Sequence, residues 1–306
     1  MVDGAADSSS QGGIEPGTLT AGAWDDNRNY EWFTTYLASQ AQLADAPLLD
    51  QATRDAAHDA FSGPRPGVAS IDVALVVDNT GSMADEIDYL KVEFTAIADR
   101  IHAEYPGTPV RWATVAYRDQ GDAFVVRSAD FSSDASLTAV QLASMSADGG
   151  GDYPEAVAQA LAETVKLSWQ SEGRIVFWVG DAPHHPGEAA TVTASLLAAK
   201  EHGLHVYPVA SSGTDALTEL TMRSAAQLTG GRYLFLTDDS GVGDTHVEPS
   251  IPCYFVTKLD DAVVRMVGIE ISGTYVEPDA DEILRTGGDP EDGACQLEDG
   301  STVVAF

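Results

Sequence analysis

Between residues 68 and 271, short runs of apolar residues alternate with stretches whose apolar residues recur every three to four positions. Ile71–Val77 is almost wholly apolar, and Glu86–Ala103 then carries Ile87, Leu90, Phe94, Ile97 and Ile101 at helical spacing. The same reading predicts strands over 110–117, 123–127, 174–180, 204–210 and 232–236. It predicts helices over 137–145, 155–167, 189–202, 217–228 and 259–271. A strand that is apolar at successive positions has both faces to bury, and the intervening helices supply the cover. The expected fold class is therefore α/β: a doubly wound, mostly parallel, Rossmann-like sheet with helices on both faces. The pair 110–117 and 123–127 reads as a hairpin that gives this sheet an antiparallel edge.

Outside that region the pattern changes. Residues 1–17 read as a flexible linker, because Asp7-Ser8-Ser9-Ser10-Gln11-Gly12-Gly13 has linker composition. Residues 18–67 read as a helical segment that packs on the core. Trp24, Tyr30, Trp32, Phe33, Tyr36 and Leu37 cluster there, and Asp25-Asp26-Asn27 read as capping residues ahead of the helix. A calcium loop at Asp25 and Asp26 is the alternative reading. Ser62-Gly63-Pro64-Arg65-Pro66-Gly67 marks a boundary. Glu248-Pro249 through Cys253 reads as a connector into the last helix. Residues 272–306 read as an acidic, Gly- and Pro-rich extension, with a closing strand over 302–306.

Charge removes whole classes of partner. The chain holds 48 acidic and 16 basic residues, a formal charge of −32. Nucleic acid is therefore not an expected partner, since phosphate backbones are held by Lys and Arg. An anionic membrane surface is disfavoured for the same reason. No apolar run reaches the length of a membrane span. The two cysteines, Cys253 and Cys295, leave a single disulfide and a pair of free thiols as equal readings. The polar start suits a mature secreted or lipid-anchored chain whose leader was removed, and equally a cytosolic tail.

In doubly wound sheets, ligands bind beyond the carboxyl ends of the strands. The residues expected there are Asp78-Asn79-Thr80-Gly81-Ser82, Tyr117-Arg118-Asp119, Asp148-Gly149-Gly150-Gly151-Asp152-Tyr153-Pro154, and Asp181-Ala182-Pro183-His184-His185. Carboxylates and hydroxyls gathered at one sheet edge suit a hard divalent cation, which takes oxygen ligands and keeps several waters. Neutral hydroxyls leave such an ion electrophilic and open to an oxygen from outside. Plainer readings stand beside this one. Asp78 can end a strand, Ser82 can cap a helix, and Asp119 and Asp122 can shape a turn. Gly149–Gly151 lacks the lysine of a phosphate-binding loop. His184 and His185 read as a solvated pair. Asp238-Asp239-Ser240-Gly241-Val242-Gly243-Asp244 offers oxygen ligands at loop spacing without the full twelve-residue calcium pattern.

Asp78-x-Thr80-x-Ser82 after an apolar strand resembles the metal-ion-dependent adhesion site of von Willebrand factor A domains, and Asp181 matches that family's third-loop aspartate. The resemblance covers residues 68–271. The stretches Tyr117-Arg118-Asp119, Gly149-Gly150-Gly151-Asp152-Tyr153-Pro154-Glu155 and Asp181-Ala182-Pro183 are similar to the hemicentin-type and alpha-kinase-associated subset. The resemblance implies a metal site at Asp78, Thr80, Ser82 and Asp181, holding Mg²⁺ or Ca²⁺, with Mn²⁺ as a further option. One departure is plain. Glycines precede Asp152 where the family places a threonine, so Asp152 takes that place directly or through water, or water alone fills it. The implied function is a non-enzymatic, metal-dependent protein-binding module acting outside the cytoplasm, extracellular, cell-surface or periplasmic. An acidic side chain of the partner would complete the coordination. The alternatives are a metal-assisted hydrolase with His184 as base, and an intracellular assembly scaffold.

Overall fold

The computed structural model describes residues 14–305 except Leu48, Asp244 and Glu248. Most of the expected linker, Asp244 of the 238–244 loop, Glu248 at the head of the expected connector and Phe306 of the expected closing strand thus lie outside the described residues. In chain order the elements are β1 (Thr20–Trp24), α1 (Tyr30–Ser39), α2 (Gln51–Phe61), β2 (Ile71–Asp78), α3 (Ala84–Glu104), β3 (Val110–Tyr117) and β4 (Val126–Ser132). Then come α4 (Ala135–Ala143), α5 (Val157–Val165), β5 (Gly173–Gly180), α6 (Ala189–Glu201), β6 (His205–Ala210), α7 (Ala216–Thr229) and β7 (Tyr233–Leu236). The chain ends with β8 (Tyr254–Lys258), α8 (Leu259–Ser272), β9 (Arg285–Gly287), β10 (Ala294–Gln296) and β11 (Thr302–Val304).

Among the described residues nine strands form one sheet in the order β4-β3-β2-β5-β6-β7-β1-β8-β9. The pairs β3–β2, β2–β5, β5–β6 and β6–β7 are parallel, and the rest are antiparallel. The α/β fold class expected from the sequence is the one observed. Helix α3 buries Ile87, Phe94, Ile97 and Ile101 beneath one face of the sheet, together with Val263, Met266 and Val267 of α8. Helices α5, α6 and α7 cover the other face through Leu161, Leu196, Met222 and Ala226. The expected antiparallel edge is present, but its strand begins at Val126 and pairs with β3 across a register shift between Trp112 and Thr114. The sequence leaves β2 towards β3 on one side, and later returns through β5 on the other. Topology therefore reverses between β2 and β5, and the crevice lies beyond their carboxyl ends.

Two expectations are corrected and a third is decided between its alternatives. The 18–67 segment is not purely helical, since Thr20–Trp24 enters the main sheet between β7 and β8. Its residues are mostly small and carry little strand propensity; burial on both faces between two partners overrides that. Asp25 and Asp26 do not cap α1. Asp26 is fully buried against the guanidinium of Arg223 (2.7 Å), and Asp25 pairs with Arg232 (3.0 Å). The acidic tail, expected either to pack on the domain or to extend from it, packs on it. It adds β9 to the sheet edge, and its β10–β11 hairpin is tied back by a disulfide between Cys295 and Cys253, both buried. The free-thiol reading is thereby set aside. Strand β8, which lies beyond the expected connector, was not foreseen.

Candidate functional site

Asp78 is the last residue of β2 and Asp181 follows directly after β5, so neighbouring parallel strands deliver both carboxylates to the crevice. Both side chains are buried. Between β2 and α3 the chain makes a single tight turn at Gly81–Met83, which brings Thr80 and Ser82 back over the strand end. Thr80 donates its backbone N–H (2.9 Å) and its hydroxyl (2.7 Å) to Asp78 Oδ1. The Thr80 and Ser82 hydroxyls lie 3.4 Å apart, and Ser82 favours the charged form of Asp181. A chain of hydrogen bonds thus runs Asp78–Thr80–Ser82. It leaves Asp78 Oδ2 and Asp181 Oδ1 buried without a hydrogen-bond partner.

The glycine loop closes the second side. Asp148 N–H donates to Asn79 O (3.1 Å), Gly81 N–H to Gly149 O (3.3 Å), and Glu155 N–H to Pro183 O (2.8 Å). All three loops are therefore stitched together by backbone. That contact requires glycine: Gly149 and Gly150 have φ of +86° and +72°. A Cβ on Gly150 would sit 2.8 Å from Glu155 Oε1 and 3.0 Å from Thr80 Cβ. Asp152 is exposed on the rim of a cavity lined also by Thr80, Ser82 and Glu155. The structure thus brings Asp78, Thr80, Ser82 and Asp181 together, and leaves Asp152 at the mouth. Among the described residues, no group of three or more His, Cys, Asp or Glu side chains converges as a ready metal cage.

Glu155 is the residue that sequence reasoning did not single out. It sits just before α5, where an acid reads as an ordinary first-turn residue, yet it is buried with Oε2 unpartnered. Burial, reinforced by the charges of Asp78, Asp119 and Asp181, pushes its carboxyl up to about 9. Burial first, and Asp181 second, push Asp78 up to about 7; burial likewise raises Asp181, with Glu86 adding to it. Tyr117 forms the floor, its hydroxyl accepting from Trp178 Nε1 (3.1 Å) and lying beside Asp78.

The neighbouring residues have other partners. His184 is buried, with Nε2 on the carbonyl oxygen of Asp45 (3.0 Å), and burial lowers its basicity. His185 pairs closely with Asp119. In the 238–244 loop, Asp238 accepts from His246 and Asp239 pairs with Arg285 (2.8 Å), so neither carboxylate is left unpaired.

The group fits this donor set. Two buried carboxylate oxygens without partners, beside two hydroxyls, are what a hard divalent cation would satisfy, and its charge would reverse the electrostatic cost of holding Asp78 and Asp181 together.

Comparison with known proteins agrees in outline. The family profile described as "von Willebrand factor A domain" matches residues 72–239, more than half of the chain. No curated protein matches. Among solved structures, the conserved hypothetical protein BatB from Bacteroides thetaiotaomicron aligns at 15% identity and a TM-score of 0.43, over 66% of this chain and 98% of that one. The pilus adhesin SpaC from Lactobacillus rhamnosus GG aligns at 13% identity and a TM-score of 0.41, over 55% of this chain and only 30% of the adhesin.

Proposed function

We propose, from the premise that this chain belongs to the von Willebrand factor A domain family, that it is a protein-binding module whose contact with its partner depends on one divalent cation. Domains of this family are typically interaction modules rather than enzymes. The observation that carries the cation is the pair of buried, unpartnered oxygens, Asp78 Oδ2 and Asp181 Oδ1, with the linked hydroxyls of Thr80 and Ser82 at the same strand end. Asp78, Asp181 and Ser82 would hold the ion, with Thr80 fixing Asp78. Asp152 and Glu155 would act from the rim and from beneath the glycine loop, directly or through water. Mg²⁺ or Ca²⁺ is the expected ion, and Mn²⁺ suits the same oxygens.

The cation supplies an electrophilic centre open to an oxygen of the partner. The chain's own residues do the rest. The hydroxyls add no negative charge, and the stitched loops hold the oxygens in place. An acidic side chain is the partner group we expect there, since neutral hydroxyl ligands would leave a bound cation short of negative charge. The glycine-loop wording supports assigning the chain to the hemicentin-type and alpha-kinase-associated subset under this reading. The buried Cys253–Cys295 disulfide supports a location outside the cytoplasm, extracellular, cell-surface or periplasmic, over the intracellular-scaffold alternative. Among the described residues no helix is long and apolar enough to cross a membrane. The hydrolase alternative is disfavoured, because burial lowers the basicity of His184.

The test is thermal unfolding with millimolar Mg²⁺ or Ca²⁺ against EDTA. The cation raises the melting temperature of the wild type and not that of Asp78→Ala. Superimposable wild-type curves in the two buffers would overturn the proposal.

A further inference from the structure

Beside the cation site, and sharing its wall, lies a cavity of about 170 Å³ lined by Asn79, Arg118, Phe124, Arg127, Ser128 and Ser146 among others. Its character differs from the rest of the molecule. The chain has three acidic residues for each basic one, and most of its arginines sit against carboxylates, as Arg100, Arg111 and Arg223 do. Arg127 does not. Among the described residues its exposed guanidinium has no hydrogen bond or ion pair, only the ring of Phe124 at 4.1 Å. The Arg118 guanidinium lies 4.9 Å from that same ring, so one phenyl group carries two cations. Arg118 is buried; it donates to Ser146 O (2.7 Å), faces the exposed Asp148 carboxylate at 3.6 Å, and leaves Nε unpartnered. Glu163 of α5, which does not line the cavity, accepts from Ser128 (2.7 Å). Asp148 offsets Arg118 and, among the described residues, no carboxylate offsets Arg127, so the guanidinium pair on one ring carries a net positive charge that makes an anion subsite.

Register fixes where this subsite stands. Asp78 is opposite Tyr117, Tyr117 is opposite Val126 and Ala116 is opposite Arg127, so Arg118 stands just past the end of β3 while Arg127 stands one residue back on β4, on the sheet face opposite to Asp78. Strand β4 lies two strand spacings, about 10 Å, from β2, so two carboxylates that reach both places stand at least about three residues apart on an extended peptide. We propose that this cavity takes a second carboxylate of the partner, so that the module recognises an acidic segment with two acidic side chains about three positions apart, one meeting the cation and one meeting Arg127 and Arg118. This rests on the cation-dependent reading above.

The test uses two hexapeptides, one with glutamates at its second and fifth positions and one with the latter changed to glutamine. Affinities are measured in Mg²⁺ and in EDTA for the wild type, Arg127→Glu and Arg127→Lys. The wild type in Mg²⁺ binds the diacidic peptide about tenfold tighter, the worth of one charge-assisted contact. Arg127→Glu abolishes that preference and leaves the monoacidic affinity within about twofold, since the altered side chain is exposed and lacks polar partners; Arg127→Lys keeps part of the preference. Equal wild-type affinities for the two peptides, or a preference that survives Arg127→Glu, overturn the subsite. The EDTA arm reads the cation separately: affinities unchanged by EDTA overturn the cation reading while the Arg127 comparison still decides the subsite. Absence of binding of either peptide to the wild type in Mg²⁺ overturns both.

Discussion

Replacing Asp78 by Asn should stabilise the cation-free protein while abolishing its response to the cation. Asp78 is fully buried and its carboxyl is raised from 3.8 to about 7. Below pH 3.8 the group is protonated in both folded and unfolded chains and contributes nothing. As pH rises through the window to about 7, the unfolded chain ionises first, so the fold loses stability at about 1.4 kcal/mol per pH unit. Above the folded value the loss levels off at roughly 4 kcal/mol, an upper figure because Asp181 shares the same repulsion. Asparagine keeps Oδ1 as acceptor for the Thr80 N–H and hydroxyl and removes the charge. At about 2 °C per kcal/mol for a chain of this size, Asp78→Asn in EDTA at pH 8 should melt up to roughly 8 °C above the wild type. At pH 5.5 the gap should shrink to about half. Differential scanning calorimetry in EDTA and in Mg²⁺, at both pH values, checks all of this. A variant that melts below the wild type in EDTA at pH 8, or that gains as much from Mg²⁺, refutes the reasoning.

Other perturbations read different parts of the account. Gly150→Ala places a Cβ against Glu155 Oε1 and Thr80 at φ +72°. It should cost about 1–2 kcal/mol by thermal unfolding and weaken cation affinity by titration calorimetry. Reducing Cys253–Cys295, 42 residues apart, releases a loop worth about 4 kcal/mol and should lower the melting temperature measurably in TCEP. Arg223→Ala strands Asp26 in the interior and should cost about 3–5 kcal/mol in urea unfolding, with the Asp26→Asn/Arg223→Met pair recovering much of it. Asp152→Ala, on the exposed rim, should leave stability in EDTA within about 0.5 kcal/mol of the wild type.

The parts of this structure legible in the sequence are those where local pattern and burial agree. Ile71–Val77 and the Ile87–Ile101 stripe announce strand and helix because both are buried as their periodicity requires. Asp78, Thr80, Ser82 and Asp181 were readable because they follow strands whose ends had been located. Strand β1 was hidden because Ala21, Gly22 and Ala23 have no strand preference of their own; only distant β7 and β8 make them one. Asp25 and Asp26 look like caps until Arg232 and Arg223, some two hundred residues away, arrive beside them. Glu155 was missed for a related reason. Nothing local distinguishes a helix-start acid from one folded beneath a glycine loop, and the unpartnered oxygen exists only once three loops meet.

The most direct test of the central claim is an anomalous-scattering map from crystals grown with Mn²⁺. The account predicts one peak at the carboxyl ends of β2 and β5, in direct or single-water reach of Asp78, Ser82 and Asp181, and none at Asp238 and Asp239. No peak there at saturating Mn²⁺, with the Asp78 and Asp181 side chains where they stand in the cation-free protein, would contradict it.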